Sequence, residues 1–113
     1  MAESNQQGCL FVGEGVVLKG NFDIPDIASV SGVIEGELTA KQVIVETSGV
    51  IRGKVTGESV DVRGEIAEHL TATRSLIIRP SGKVSGAISY AEIEIEKGGQ
   101  IYGDLNLLNQ SHS

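Results

Sequence analysis

Residues 32–55 read GVIEGELTAKQVIVETSGVIRGKV, and this stretch says the same thing twice. A unit of Gly, any residue, Ile, any residue, Gly, any residue and an aliphatic residue starts at Gly32 and starts again at Gly49. Ile34 returns as Ile51, Gly36 as Gly53 and Leu38 as Val55, each 17 positions later. Such a period in aliphatic residues, kept up along a chain, is the mark of a solenoid.

The unit extends both ways. One column runs Leu18, Ile34, Ile51, Ile66, Val84, Ile101, and a second runs Phe22, Leu38, Val55, Leu70, Ile88, Leu105; both advance by 16, 17, 15, 18 and 17 residues. Two further columns are Val43, Val60, Leu76, Ile93 and Val45, Val62, Ile78, Ile95, with Val30 a candidate first member of the last. The last two columns lie two residues apart within each turn, which is strand parity, so their side chains share a face and helices are disfavoured. Turns this short leave no room for crossover helices between parallel strands. The chain must coil, each strand pairing with its copy one turn above. The expected fold is all-β, a parallel β-helix of about six turns, roughly 30 Å long at about 4.8 Å per turn.

Glycines mark the corners. Gly32, Gly49, Gly64, Gly82 and Gly99 stand two residues before the first column, and Gly20, Gly36, Gly53, Gly86 and Gly103 two after it. Glu68 replaces a glycine of the second set, between the 15- and 18-residue steps. A bulge or longer corner is therefore expected near Glu68 and His69. Pro25 and Pro80 fall between columns, where a missing N–H is tolerated. Glu92, Glu94 and Glu96 alternate with Ile93 and Ile95, which places the carboxylates outside as a solvated stripe.

Composition agrees. The 113 residues are 40% hydrophobic but only 4% aromatic, without Trp, and include 15 Gly. A core without aromatic bulk is filled by small stacked aliphatics. The formal charge of −6 opposes nucleic acid and anionic membrane surfaces, and the scattered Arg52, Lys54, Arg74 and Arg79 make no basic patch. A single Cys9 fits a reducing compartment. No secretory signal or spanning run is read at the N-terminus, so a cytoplasmic location is expected. Residues 1–12 read as a short tail, 13–108 as the β-helix and 109–113 as a second tail. Cys9 to Val12 form an apolar cluster suited to a first strand or a flap.

Catalytic chemistry finds little to work with. The chain has two His, and His112 lies in the tail. Between Gly49 and Gly53 stand three residues, and Val55 follows Lys54, so no phosphate-binding GxxxxGK[ST] loop is present. No catalytic residue, cofactor or metal is expected. A solenoid acyltransferase or carbonic anhydrase would need a His-bearing cleft or three metal ligands. An ice-binding solenoid would need a flat Thr face, and the rank Thr39, Thr56, Thr71 passes into Ser89 and Asn106. A non-polymerising binding module is the remaining alternative.

From about Gly13 to Leu107, with VSGVIEG (30–36) and EIEIEKGGQIYGDL (92–105) the most specific parts, the chain resembles the bactofilins, small bacterial cytoskeletal scaffolds. The resemblance implies a right-handed, triangular β-helix that polymerises without nucleotide into non-polar filaments, joined head to head and tail to tail. It also implies a role in organising cell-wall or envelope proteins, from the cytoplasm or from a peripheral position at the inner membrane. Two departures stand out. Many members carry G-A-x-F-x-G in the last turn, where GGQIYG here places Ile101 with Tyr102 beside it; and neither an N-terminal membrane-binding peptide nor a proline-rich C-terminal extension is evident. Solenoid ends expose strand edges and apolar columns unless capped. The expected contacts are Ile101, Tyr102, Leu105, Leu107 and Leu108 at the C-terminal end, and Leu10, Phe11, Val16, Leu18 and Phe22 at the N-terminal end.

Overall fold

The computed structural model describes residues 8–107. They form seven strands and no helix: Leu10–Val12 (β1), Val17–Val30 (β2), Val33–Val45 (β3), Val50–Val62 (β4), Glu65–Ile78 (β5), Lys83–Ile95 (β6) and Gln100–Leu107 (β7). Neighbours in sequence are neighbours in one sheet, and every pair is parallel. Connections of two or four residues cannot carry a strand back to its start, so each long strand is itself a turn of the coil. The result is a parallel β-solenoid of about six turns.

Each turn bends rather than running straight. In β3 the inward residues are Ile34, then Leu38 and Ala40, then Val43 and Val45. A positive φ at Gly36 (+125°) separates the first group from the second, and a change of side-chain parity at residues 41–42 separates the second from the third. Each turn thus has three sides. The glycine is required twice over: a Cβ there would strike the carbonyl oxygen of Gly20 in the turn below, and the φ itself disfavours any L side chain.

The register reproduces the aliphatic columns residue for residue. Leu18 pairs with Ile34, Ile34 with Ile51, Ile51 with Ile66, Ile66 with Val84 and Val84 with Ile101. Ile51 is fully buried between two other isoleucines, and burying such a side chain contributes about 1.5–3 kcal/mol. Among the described residues the buried set is entirely apolar. A fifth column, Ile24, Ala40, Gly57, Ala72, Tyr90, Leu107, lies two residues past the second. Its middle members are small because they sit at a bend; a Cβ on Gly57 would lie 3.2 Å from a methyl of Val43.

Two expectations are corrected. The irregular spacing does not arise at Glu68, which pairs in register with Gly53 below and Gly86 above. Glu68 instead adopts the glycine's backbone, φ +90°. The 15-residue step comes from the corner at residues 63–64, which has two residues where 46–49 and 79–82 have four, and the following turn regains length at residues 73–74, where the register shifts. The second correction concerns only where the N-terminal tail ends, since the apolar cluster at Cys9 to Val12 takes its first-strand reading from Leu10 onward. Leu10–Val12 is a strand, paired with Ala28–Val30, and it carries the last two columns down to Leu10 and Val12.

The corners are tied to one another. Ser48 and Ser81 sit in four-residue corners and donate hydrogen bonds to the carbonyls of Ser31 (2.9 Å) and Arg63 (2.8 Å) in the two-residue corners below. Along the same edge Glu46, Arg63, Asp61, Arg79 and Glu96 form an alternating ladder of charge, with Arg63 bridging Glu46 (3.9 Å) and Asp61 (3.8 Å). Glu96 therefore belongs to an ion pair, whereas Glu92 and Glu94 are exposed as expected.

Candidate assembly ends

The middle of the coil is sealed, since strands lie above and below it and its columns are buried. The ends differ. Below β2, strand β1 covers only Ala28–Val30, so residues 17–24 present an unpaired strand edge among the described residues. Above β6, strand β7 covers only Lys83–Tyr90, so residues 92–95 do the same. Among the described residues each end is a step, covered along one part of a turn only.

Of the expected N-terminal residues, Leu10, Leu18 and Phe22 point inward and are half-buried, with no turn below them among the described residues. Phe11 points outward from β1 and is 74% exposed, and Val16 is exposed in the first corner. At the other end Ile101 is half-buried and Leu105 is 45% exposed, although Leu38, Val55, Leu70 and Ile88 of its column are sealed. Leu107 continues the fifth column and is exposed. Tyr102 points outward; its hydroxyl donates to Gln100 Oε1 at 3.1 Å and its ring centre lies 5.7 Å from Lys83 Nζ. Leu108 lies outside the described residues.

Sequence reasoning missed Val17, Ile24, Ile93 and Ile95. Val17 is exposed on the outer surface beside Leu18, and Ile95 is exposed because β7 does not reach over it. Ile93 and Ile95 belong to the columns read from the sequence. Among the described residues β7 ends before it covers them, which the sequence pattern does not show.

Nothing at either end resembles a reaction centre. Among the described residues no three His, Cys, Asp or Glu side chains converge, and His69 is exposed. A surface hollow of about 590 Å³ is lined by Ser75, Leu76, Ile77, Glu92, Ile93 and Glu94, beside the C-terminal step. Among the described residues no helix is long and apolar enough to cross a membrane. Unpaired strand edges beside exposed apolar columns are surfaces for adding more of the same sheet.

Comparison with known families matches residues 10–106 to the bactofilins, described as polymer-forming cytoskeletal proteins. The chain belongs to the bactofilin family. The match begins at the first residue of β1 and ends one residue before the last of β7, so it covers all but the last described residue of the bactofilin solenoid. No curated protein and no solved structure matches the chain. Membership of a polymer-forming family means that the bactofilin's capacity for self-association is the property its surface must explain.

Proposed function

We propose that the chain is a non-enzymatic scaffold that stacks end to end into filaments without nucleotide, and that these filaments organise cell-shape or cell-envelope proteins from the cytoplasmic side. The observation that carries this reading is the contrast between a sealed middle and two stepped, apolar ends. The N-terminal contact is made by Leu10, Phe11, Val16, Leu18 and Phe22, and the C-terminal contact by Ile101, Tyr102, Leu105 and Leu107, with Leu108 a further candidate. Cofactors have no part in it. The ends join like to like, head to head and tail to tail, as the resemblance implies, which gives a filament without polarity.

Negative-stain electron microscopy of the purified protein, without nucleotide or metal, tests the reading. Filaments are expected for the parent chain. Small uniform particles at high concentration and physiological salt would sink it.

A further inference from the structure

We infer that the recess at residues 31–32 is a docking site for an arginine side chain of a partner protein. The inference rests on the scaffold reading above and gives the scaffold's partners a chemical class. At the corner that follows the third side of each turn, lengths run four residues (13–16), two (31–32), four (46–49), two (63–64) and four (79–82). Long corners project and short ones are set back, so 31–32 and 63–64 each lie in a recess between two projecting corners. The two recesses are built alike. One backbone hydrogen bond closes each projecting corner, from Val16 N–H to the Gly13 carbonyl (3.1 Å), Gly49 N–H to that of Glu46 (2.8 Å) and Gly82 N–H to that of Arg79 (2.8 Å). Ser48 ties across the lower recess as Ser81 ties across the upper.

Their contents differ. The upper recess is filled by cations: Arg63 reaches Glu46 (3.9 Å) and Asp61 (3.8 Å), and Arg79 grips Asp61 at 3.0 Å. Two turns lower, the register puts Ser29 in the place of Asp61 and Ser31 in the place of Arg63. What results is a hollow of about 490 Å³. Ser29 and Ser31 form its floor, Glu14 stands on the corner below, and Glu46, Thr47 and Ser48 stand on the corner above. All 9 Lys and Arg of the chain lie within the described residues, and none of them lines it. Acceptors surround the hollow, whereas the sister recess supplies its own guanidinium groups.

The ligand class is therefore read from the molecule itself. Glu46 already accepts a guanidinium on its upper side, from Arg63, and the hollow offers the same carboxylate on its lower side. Carboxylates on two walls with hydroxyls between them suit a planar fork of five N–H donors better than a compact ammonium. They do not suit a metal ion, since among the described residues no three His, Cys, Asp or Glu side chains converge. The formal charge of −6 draws a basic segment toward the coil. One arginine in an open recess is a weak contact. Stacking repeats the recess in every copy of the polymer, so a clustered basic partner is held by many such contacts at once.

The test is fluorescence anisotropy of a labelled tetra-arginine peptide titrated with the full chain at physiological salt. Replacing Glu14→Gln and Glu46→Gln together is expected to weaken binding about tenfold or more, the loss of charge-assisted hydrogen bonds. Glu37→Gln with Glu58→Gln removes as much charge from exposed positions elsewhere and should leave binding near the parental value. Ser31→Arg places in the recess the residue that its sister corner already carries as Arg63, so it should block the peptide while circular dichroism and filaments stay as in the parent. Equal weakening by the two Gln pairs would reduce the effect to net charge and overturn the site. Binding retained in Ser31→Arg, or a tetra-lysine peptide bound as tightly as tetra-arginine, overturns it as well. Filaments in a parent that does not bind the peptide remove only this inference. Recess-dependent binding by a chain that forms no filaments removes the polymer reading and keeps the docking site.

Discussion

Arg79 holds Asp61 of the turn below in a two-pronged grip: Nε donates to Oδ1 at 3.1 Å and Nη2 to Oδ2 at 3.0 Å. The third nitrogen, Nη1, donates to Glu96 Oε2 of the turn above at 3.1 Å. One guanidinium thus spans three turns along the corner. The paired carboxylates, Asp61 first and Glu96 second, hold its pKa above the ordinary arginine value. A raised pKa in a cation means its stabilising contribution is present below the unfolded pKa and lost only as pH rises through the folded one. Arginine protonation therefore adds no pH dependence near neutrality.

The ladder is partly exposed, so its strength is set by screening. Asp61→Asn keeps the shape and removes the central charge. The expected drop in Tm is no more than about 4 °C, as for solvent-accessible pairs in a domain of this size. Repeating the melts of parent and variant in 1 M NaCl should shrink the difference, since the Debye length is then about 3 Å. A difference unchanged by salt would mean that hydrogen-bond geometry, rather than charge, supplies the effect.

Glu68 carries a glycine's conformation on a residue with a side chain, at φ +90°. Holding a non-glycine residue there costs on the order of 1–3 kcal/mol, and glycine returns part of that gain through the extra freedom it has when unfolded. Glu68→Gly should therefore stabilise the protein by about 1 kcal/mol in denaturant titration. Its neighbours Gly53 and Gly86 already show the conformation it would take. An unchanged or lower midpoint would show that the carboxylate makes a compensating contribution.

The opposite change is expected to be severe. In Gly53→Ala the new methyl meets the carbonyl oxygen of Gly36 at a positive φ of +130°, and neither backbone can retreat without breaking the ladder between β3 and β4. A loss of about 3 kcal/mol or more is expected from the strained φ and the collision together. Far-UV circular dichroism melts would read it; a change in Tm under about 4 °C would show that the corner can open.

The four aliphatic columns were legible because each turn contributes a branched or large apolar residue at the same place, as with Leu38, Val55 and Leu70. The fifth was not, because a bend leaves room only for Ala40, Gly57 and Ala72, which carry no hydrophobic signal. Corner lengths were equally silent. Residues 31–32 and 63–64 close a turn with two residues where residues 46–49 use four, and polar side chains on the outside accept either. Glu68 attracted attention for lacking a glycine, yet strand pairing on both sides imposed the shape regardless of the residue. The end residues were readable as apolar positions, but whether a column is covered depends on how far the next strand extends. Ile95 is exposed for that reason while Ile78, one turn below in the same column, is buried.

Leu70 and Leu105 occupy the same column, two turns apart, and arginine at each should separate folding from assembly. Leu70 is 1% exposed, with Val55 below and Ile88 above. Leu70→Arg encloses an unpaired charge and should leave no cooperative melt. Leu105 is 45% exposed, so in Leu105→Arg the aliphatic stem can lie on Ile88 while the guanidinium reaches water at the open end. The monomer should keep its circular dichroism spectrum and nearly its Tm. A second copy stacked on that end would enclose the charge at a cost of about 3–5 kcal/mol, equivalent to an assembly threshold raised by roughly 10²–10⁴-fold. Sedimentation at increasing concentration measures the threshold directly. Folded protein that no longer pellets places Leu105 in the contact. Folded protein that still pellets at the parental concentration means that the last turn faces water in the polymer, and the growing surface must then be sought on the sides of the coil.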